Sequence, residues 1–562
     1  MAMLRSALLL SLVIALSVGA ACGESPPEDL PPVVCDELVE VPDEALRALL
    51  IELLPAAPEP EEGEPAVTPV ILSEELAKLQ GLRGVDLEIS DLRGLECAHG
   101  LETLGLAGNS IADLTPLARL PVLREVELSD NPIADLEALA SVETLEKIVI
   151  KGTKVSDLRP LKFLPALRHL DATSTGIVDL GPLAELRELE TLALADNAIE
   201  DLGALAELDK LFALQLAGNA IQEVDALSGL SALEFLDLDS NAITSLAPLA
   251  PLRALRDLKA GDNRLVTTAG IADKAQLLEL DLEGNQLSSL EGLSALPLLV
   301  RLDVEDNQLA SLSGIEGLAE LRILYARANQ ISDASPLVGL SALRRLDLRD
   351  NAGVADLAPL SGLENLDWLG IGGTPLVVDL APLSDLALLR QIEASELTPS
   401  DLGVLAEFAS LRVLNLSASP AVTDAALAEI VGAAGLQTLL INQTSVADLS
   451  GLLALTGLRR LEVDGTGVNS LTEIAMFEEI TAISLEDTPL ASLAGVEAIP
   501  TLASIDVSGT SIDDLGPLLE LPNFRNGDTI DVRGTALDSG DCDAILELRA
   551  RNALVTTDLT CE

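Results

Sequence analysis

Residue types that could do chemistry are few and scattered. The chain of 562 residues holds two histidines, His99 and His169, five cysteines, one tyrosine and one tryptophan. Neither histidine sits beside a cysteine or serine in a recurring motif, and there is no glycine-rich phosphate loop. Nucleophilic and phosphoryl-transfer chemistry therefore have no constellation to work from. Carboxylates are the opposite case: with 91 acidic residues, any two fall close by accident, and an acid–base pair carries no information. The sequence reads as that of a non-enzyme without a cofactor. Calcium is conceivable at acidic turns such as "DLDSN", but no D-x-[DN]-x-[DN]-G loop occurs, and no metal site is assigned. What remains is recognition chemistry. Tyr325 and Trp368 are accompanied by Arg301, Arg327, Arg345 and Arg349, and Trp, Tyr and Arg are the residues enriched at binding hot spots.

A repeat must position these residues. "LETLGLAGNSIADL" at 101, "LETLALADNAIEDL" at 189, "LEFLDLDSNAITSL" at 233 and "LLELDLEGNQLSSL" at 277 are versions of one unit. Leucines or their substitutes open a new unit every 22 residues from Leu101 to Leu343, then at Leu366, Leu389, Leu411, Leu436, Leu458, Ile480 and Leu502. That makes 19 full units, preceded by a partial one ending "ISDLRGLE" and followed by a last strand, "TIDVRG". Alternate residues of "FLDLD" point to opposite faces, as in a strand. The leucines point inward, and the third, fifth and seventh positions line the other face.

An asparagine breaks the apolar pattern where the chain leaves the strand. Orphaned backbone groups buried there cost about 1–3 kcal/mol each, and an inward Asn can satisfy several at once. Stacking predicts a column: Asn109, Asn131, then Asn197 to Asn351 at every 22nd residue, with Thr153 and Thr175 in two coils. From Thr374 onward the position is mostly Thr, at Thr444, Thr466, Thr488, Thr510 and Thr535. Each return path places Pro two residues after a Leu, as at Pro116, Pro160, Pro182, Pro248, Pro359 and Pro517. Proline suits the first turn of a helix, and the space allows one or two turns, often 3₁₀. At about 4.8 Å per strand, some 20 coils give a sheet roughly 95 Å long.

The pattern L-x-x-L-x-L-x-x-N resembles leucine-rich repeats, and its 22-residue period resembles the bacterial, internalin-like kind, over roughly residues 36–555. The resemblance implies an α/β solenoid: a horseshoe with a parallel concave β-sheet and short 3₁₀ or α turns on the convex side. It also implies helical caps. "VPDEALRALLIELL" (41–54) and "SEELAKLQGL" read as helices at the N-terminal end, with the acidic "PAAPEPEEGEP" between them, and "DCDAILELRARN" reads as a closing helix. The expected division is 36–100 for the N-terminal cap and first partial repeat, 101–523 for the array, and 524–562 for the C-terminal cap. The least regular stretch, about 366–435, has units of 23 and 25 residues and Leu397 at the Asn position. It reads as a bend or seam between an Asn-type and a Thr-type array.

The first 21 residues read as an export signal, with Arg5, an apolar run of about 14 residues and small residues before Cys22. "VGAAC" resembles a bacterial lipobox, with Gly19 where Leu is usual. Lipidated Cys22 would begin the mature chain, and residues 22–35 would form a Pro-rich tether. Lipidation accounts for one of five cysteines. The other four fall as two pairs, one per cap, predicting Cys35–Cys97 and Cys542–Cys561 disulfides. A zinc site is the rival reading, without any C-x₂-C spacing. No cell-wall sorting tail ends the chain, which leaves Cys22 as the expected attachment.

A net charge of −57 argues against nucleic acid, whose binding needs clustered cations, and against docking on anionic lipid. Membrane contact is then expected through the lipid anchor alone. The expected function is that of an exported, monomeric module in the bacterial cell envelope, at the outer membrane, its periplasmic side or the cell surface. It would recognise an unidentified protein partner through its concave face. The alternatives are a binder of carbohydrate or cell-wall polymer using Trp368 and Tyr325, or a passive structural or adhesive protein. By column, Arg301, Arg345 and Trp368 share one track, Arg327 and Arg349 another, and Tyr325 lies between. Gly370 and Gly372 leave bare strand beside the indole, with Arg345 expected against that ring. The competing arrangement is a self-neutralising ladder in which Glu305 pairs with Arg327 and Asp303 or Asp347 offsets the other arginines.

Overall fold

The computed structural model describes residues 35–54, 70–474, 477–521 and 527–561. The expected export signal, Cys22 and the expected tether as far as residue 34 lie outside them, as does the acidic stretch 55–65.

Within a coil, a strand of three residues buries only its middle one. In Phe235–Asp237, Leu236 is fully buried while Phe235 and Asp237 are half-buried, and Leu238 turns inward again. So short a strand has too few hydrogen bonds to stand alone, and it is held by a neighbour on each side: Leu236 lies opposite Leu214 and Leu258. Repetition of this step gives one parallel sheet of 22 strands, from β1 (Gly81–Arg83) to β22 (Leu554–Thr556), joined in chain order. The inward leucines, isoleucines and valines of all coils merge into a single apolar core. On the convex side the chain returns through 3₁₀ turns such as Ala247–Leu249, with Pro248 in the first turn.

The asparagine column does what its spacing predicts. Asn241 Nδ2 donates to Leu216 O and Leu238 O, both at 3.0 Å, and to Asp239 O at 3.1 Å. Its Oδ1 accepts from Ile221 N at 3.0 Å. One side chain thus satisfies groups in its own coil and in the coil before it. Ser240, just ahead, takes a left-handed conformation with φ of 54° to turn the chain off the strand. Threonine at this position does less. Thr466 Oγ1 donates to Val463 O three residues back, and Thr444, Thr488 and Thr510 repeat that local bond.

The irregular stretch is a seam in the convex layer and not in the sheet. Strand pairing continues in register through Trp368↔Gln391, Gln391↔Val413 and Val413↔Thr438. Leu397 is fully buried where an Asn would stand, and its N–H donates to Ser419 Oγ of the next coil at 3.1 Å. The extra residues of the longest unit form a helix, Asp424–Leu427, continued as 3₁₀ over Ala428–Gly432. Asp424 accepts from Ala447 N and Asp448 N of the following coil, and Glu429 from Leu402 N of the preceding one.

Both ends are capped. At the N-terminal end α1 (Glu44–Leu53) turns Leu46 and Leu50 inward, and α2 (Ser73–Leu76) follows. Asp43 caps α1 through Leu46 N, and its second oxygen accepts from Ser90 N, Ser90 Oγ and Asp91 N in the first coil. Burial pushes the Asp43 carboxyl up, but those bonds outweigh it and hold the group below its usual value. Cys35 is bonded to Cys97, and Cys542 to Cys561. At the other end the helix Cys542–Ala550 leads into β22, which pairs with Thr529–Asp531. The last strand is therefore not "TIDVRG": the cap adds one more, and Arg549 donates to Val555 O within it at 3.2 Å.

Candidate functional site

The concave face is built by outward residues of adjacent strands, so neighbours on it come from units about 22 residues apart. β11 (Arg301–Asp303), β12 (Ile323–Tyr325), β13 (Arg345–Asp347) and β14 (Trp368–Gly370) lie side by side. Arg301, Ile323, Arg345 and Trp368 form one row across them, and Asp303, Tyr325, Asp347 and Gly370 the next. Here the face dips into a cleft of about 350 Å³ lined by Asp303, Glu305, Tyr325, Arg345, Asp347, Arg349 and Trp368. Tyr325 and Trp368 are half-buried in the surface, and neither belongs to the leucine core.

The expected site residues are brought together, with two corrections in how they touch. Arg349, and not Arg345, lies over the indole, its guanidinium carbon 5.5 Å from the ring centre; Arg301 lies over Tyr325 at 4.7 Å. The bare strand explains the first difference. A Cβ at Gly370 would stand 2.7 Å from the Trp368 ring and 2.8 Å from Asp347 Oδ1. The indole therefore lies down against Gly370, towards the track that carries Arg349. The second correction concerns Arg327, which pairs with Asp350 at 2.7 Å rather than with Glu305. Arg301 pairs with Asp303 at 3.0 Å and Arg349 with Asp347 at 2.5 Å, so the expected offset by Asp303 and Asp347 is present. Arg345 is exposed and makes no ion pair with a described residue.

Asp303 and Asp347 are the buried floor of the cleft, 4% and 1% exposed. Burial, reinforced by the charge of Asp281, pushes the Asp303 carboxyl up to about 7, and this outweighs its ion pair with Arg301. Burial also raises Glu305, with the Asp347 charge adding to it. The trend continues along the trough toward earlier coils. Asp239 is pushed up to about 6 by burial and the neighbouring Asp237 charge, and Asp257, Asp281 and Glu283 are raised by burial first. One oxygen each of Asp281, Glu283 and Asp303 lie within 4.8 Å of one another.

Sequence reasoning missed Lys274. It stands where other coils carry a core leucine such as Leu252 or Leu296, is fully buried, and donates to Leu249 O at 2.7 Å and Leu252 O at 3.0 Å. Burial lowers its ammonium to about 8. The signal was a lysine in the leucine column of an otherwise regular unit. Of the two histidines, His169 meets Thr191 Oγ1 at 2.9 Å on the sheet.

A leucine-rich repeat family model matches residues 186–206. No curated protein matches the sequence. Among solved structures, an internalin of Listeria monocytogenes is 25% identical with a TM-score of 0.54, covering 63% of this chain and 95% of that one. A leucine-rich repeat protein of Leptospira interrogans is 19% identical with a TM-score of 0.52, over 79% of this chain and 97% of that one. A plant peptide hormone receptor in complex with RGF2 is 16% identical with a TM-score of 0.52, over 87% and 96%. The last two share the fold alone. Repeat pattern, continuous parallel sheet, asparagine column and these likenesses agree: the chain folds as a leucine-rich repeat solenoid similar to that of the Listeria internalin.

Proposed function

We propose that this protein is an exported recognition module, held to a membrane by lipid on Cys22, that binds a protein partner on its concave face around Tyr325 and Trp368. One observation carries the reading: the chain's only tyrosine and only tryptophan, 43 residues apart in sequence, wall the same cleft of about 350 Å³. Aromatic and arginine side chains beside a depression are what interface hot spots are made of. The fold supports this at the level of class, since the plant receptor of similar fold is itself in complex with a partner. The carbohydrate alternative is less well supported. Sugar stacking needs a free ring face, and Arg349 lies over Trp368 while Arg301 lies over Tyr325. Two disulfides fit an oxidising compartment.

The test combines Tyr325→Ala with Trp368→Ala. Neither ring is in the core, so the double variant is expected to keep its thermal midpoint and to lose the partner that wild type retains from envelope fractions. Trp368 fluorescence should change on adding that partner. Retained binding by the double variant would remove the site assignment. Attachment is tested separately. Acyl groups on Cys22 by mass spectrometry, and release from membranes by Cys22→Ala, are the expected results.

A further inference from the structure

The second residue of each unit lies just before its strand, and these residues form a row along one rim of the concave sheet. In the early coils the row neutralises itself. It reads Glu102, Arg124, Glu146, Arg168, Glu190, with Arg124 paired to Glu146 and Arg168 paired to Glu190 at 2.7 Å. Arg256 lies 3.8 Å from Glu234 of the coil before, and Arg459 pairs with Glu479 at 3.0 Å. Between these the rule fails. The row becomes Arg322, Arg344, Asp367, Arg390, Arg412, in successive coils tied N–H to carbonyl at 2.8–2.9 Å. Arg345 stands one residue inward. Arg322, Arg344, Arg345 and Arg390 are exposed, and none makes an ion pair with a described residue. Arg412 bonds only backbone carbonyls, at Leu411 and Ala409.

Five arginines against one aspartate is an unusual concentration in a chain of net charge −57. Like charges on adjacent strands repel, and carboxylates to offset them were available everywhere. The rim runs alongside the aromatic cleft, and Arg345 belongs to both. We propose that this rim docks an acidic segment of the protein partner, rich in Asp or Glu, while the cleft takes a neighbouring side chain. Four strand steps of about 4.8 Å make the row roughly 19 Å long, the reach of about six residues of extended chain. The surroundings limit the ligand's length. Leu278 and Val300 precede the row and Gln437 follows it, and Asp281, Glu283, Asp303 and Glu305 lie on the adjoining concave face. A long polyanion would overrun the arginines and meet those carboxylates; a short acidic segment would not.

The inference rests on the concave-face reading, and the two are separable by experiment. The probe is a fluorescently labelled hexaglutamate, with a Gly-Ser hexapeptide as reference, in 0.05 M NaCl. Wild type is expected to bind hexaglutamate and not the reference, and to weaken at 0.15 M NaCl as screening shortens. The triple variant Arg322→Gln, Arg344→Gln, Arg390→Gln should bind roughly tenfold or more weakly. A matched triple in the paired part of the row, Arg124→Gln, Arg168→Gln, Arg256→Gln, makes the same change in net charge and should bind as wild type. The Tyr325→Ala, Trp368→Ala variant should still bind hexaglutamate, so failure of the cleft assignment leaves the rim result standing. The proposal is overturned if wild type ignores hexaglutamate, or if both arginine triples lose binding equally. It is also overturned if heparin binds through Arg322, Arg344 and Arg390 while hexaglutamate does not, which would make the rim a glycan site.

Discussion

Coils that carry asparagine at the turn, from Asn197 to Asn351, and coils that mostly carry threonine there, from Thr374 to Thr535 with Leu397 and Ser419 between, share strand register and leucine core. They differ in how one coil holds the next. Asn307 donates to Leu282 O in the preceding coil and accepts from Leu287 N there, besides bonding Val304 O and Glu305 O in its own. Thr466 Oγ1 donates to Val463 O and accepts from Val468 N at 3.5 Å, both within its own coil. In a stacked array stability is a sum of coil terms and nearest-neighbour terms. The asparagine half therefore carries a polar coupling between neighbours that the threonine half lacks. Where that coupling is absent, the coils rely on sheet bonds and apolar contact, and on particular bridges such as Asp424 to Ala447 N.

The largest expected effect tests this directly. Asn307→Ala leaves several buried backbone groups without a partner and should cost about 2–4 kcal/mol in urea unfolding, whereas Thr466→Ala loses one short bond and one long one within its own coil and should cost about 1 kcal/mol. Equal losses would break the distinction. Amide exchange should agree, with strand N–H groups at residues 438–506 opening before those at 213–347.

Next in size is Lys274, which lies inside the asparagine half. Its folded value, about 8, is below the ordinary lysine value. The cost of burying its charge is thus full below pH 8 and fades as pH rises toward 10, where the unfolded chain also releases the proton. Wild type should therefore gain on Lys274→Met by on the order of 2 kcal/mol between pH 7 and pH 10. A constant difference would mean that Lys274 keeps its proton as firmly inside as in the unfolded chain, with no lowering by burial.

A smaller effect belongs to the trough. Asp239 and Asp303, at about 6 and about 7, hold protons in the folded state that the unfolded chain has released. A carboxyl raised in this way favours folding at low pH and loses that contribution as pH climbs through the folded value. Acidifying from pH 7.5 to 5.5 should raise the thermal midpoint by about 1–3 °C. Asp239→Asn with Asp303→Asn should remove most of the rise. The smallest effect is general: with a net charge of −57, the midpoint should rise between 0.01 and 0.15 M salt as the screening length falls from about 30 to about 8 Å.

The backbone was legible in the sequence because every coil repeats one local rule: an inward leucine, an inward amide, a proline turn. Single residues then fixed strand positions across the array. β22 escaped notice because it has no unit of its own and comes after a helix. The cleft was legible as a set of columns, which put Arg301, Tyr325, Arg345 and Trp368 side by side. Its contacts were not. Which guanidinium covers the indole depends on the room left by Gly370, and no pattern of residue types specifies that rotamer. The arginine rim was visible in principle, but only after the coils are aligned and the second position is followed from Arg322 to Arg412. Nothing in the sequence marks which of those charges are left without a carboxylate.

The unbroken 22-residue spacing from Leu101 to Leu343 makes this part of the molecule a ruler. Thirteen strand steps separate β1, beside the Cys35–Cys97 bond, from Trp368, or about 60 Å along the curve. Every coil in that stretch presents the same faces to its neighbours. Copying one unit by an in-frame duplication of 22 residues would carry the cleft and its arginine rim about 4.8 Å further from the N-terminal cap, with their own geometry unchanged. Deleting one would draw them in by the same step. Reach and specificity are thus written in separate parts of the chain, and one can vary without disturbing the other.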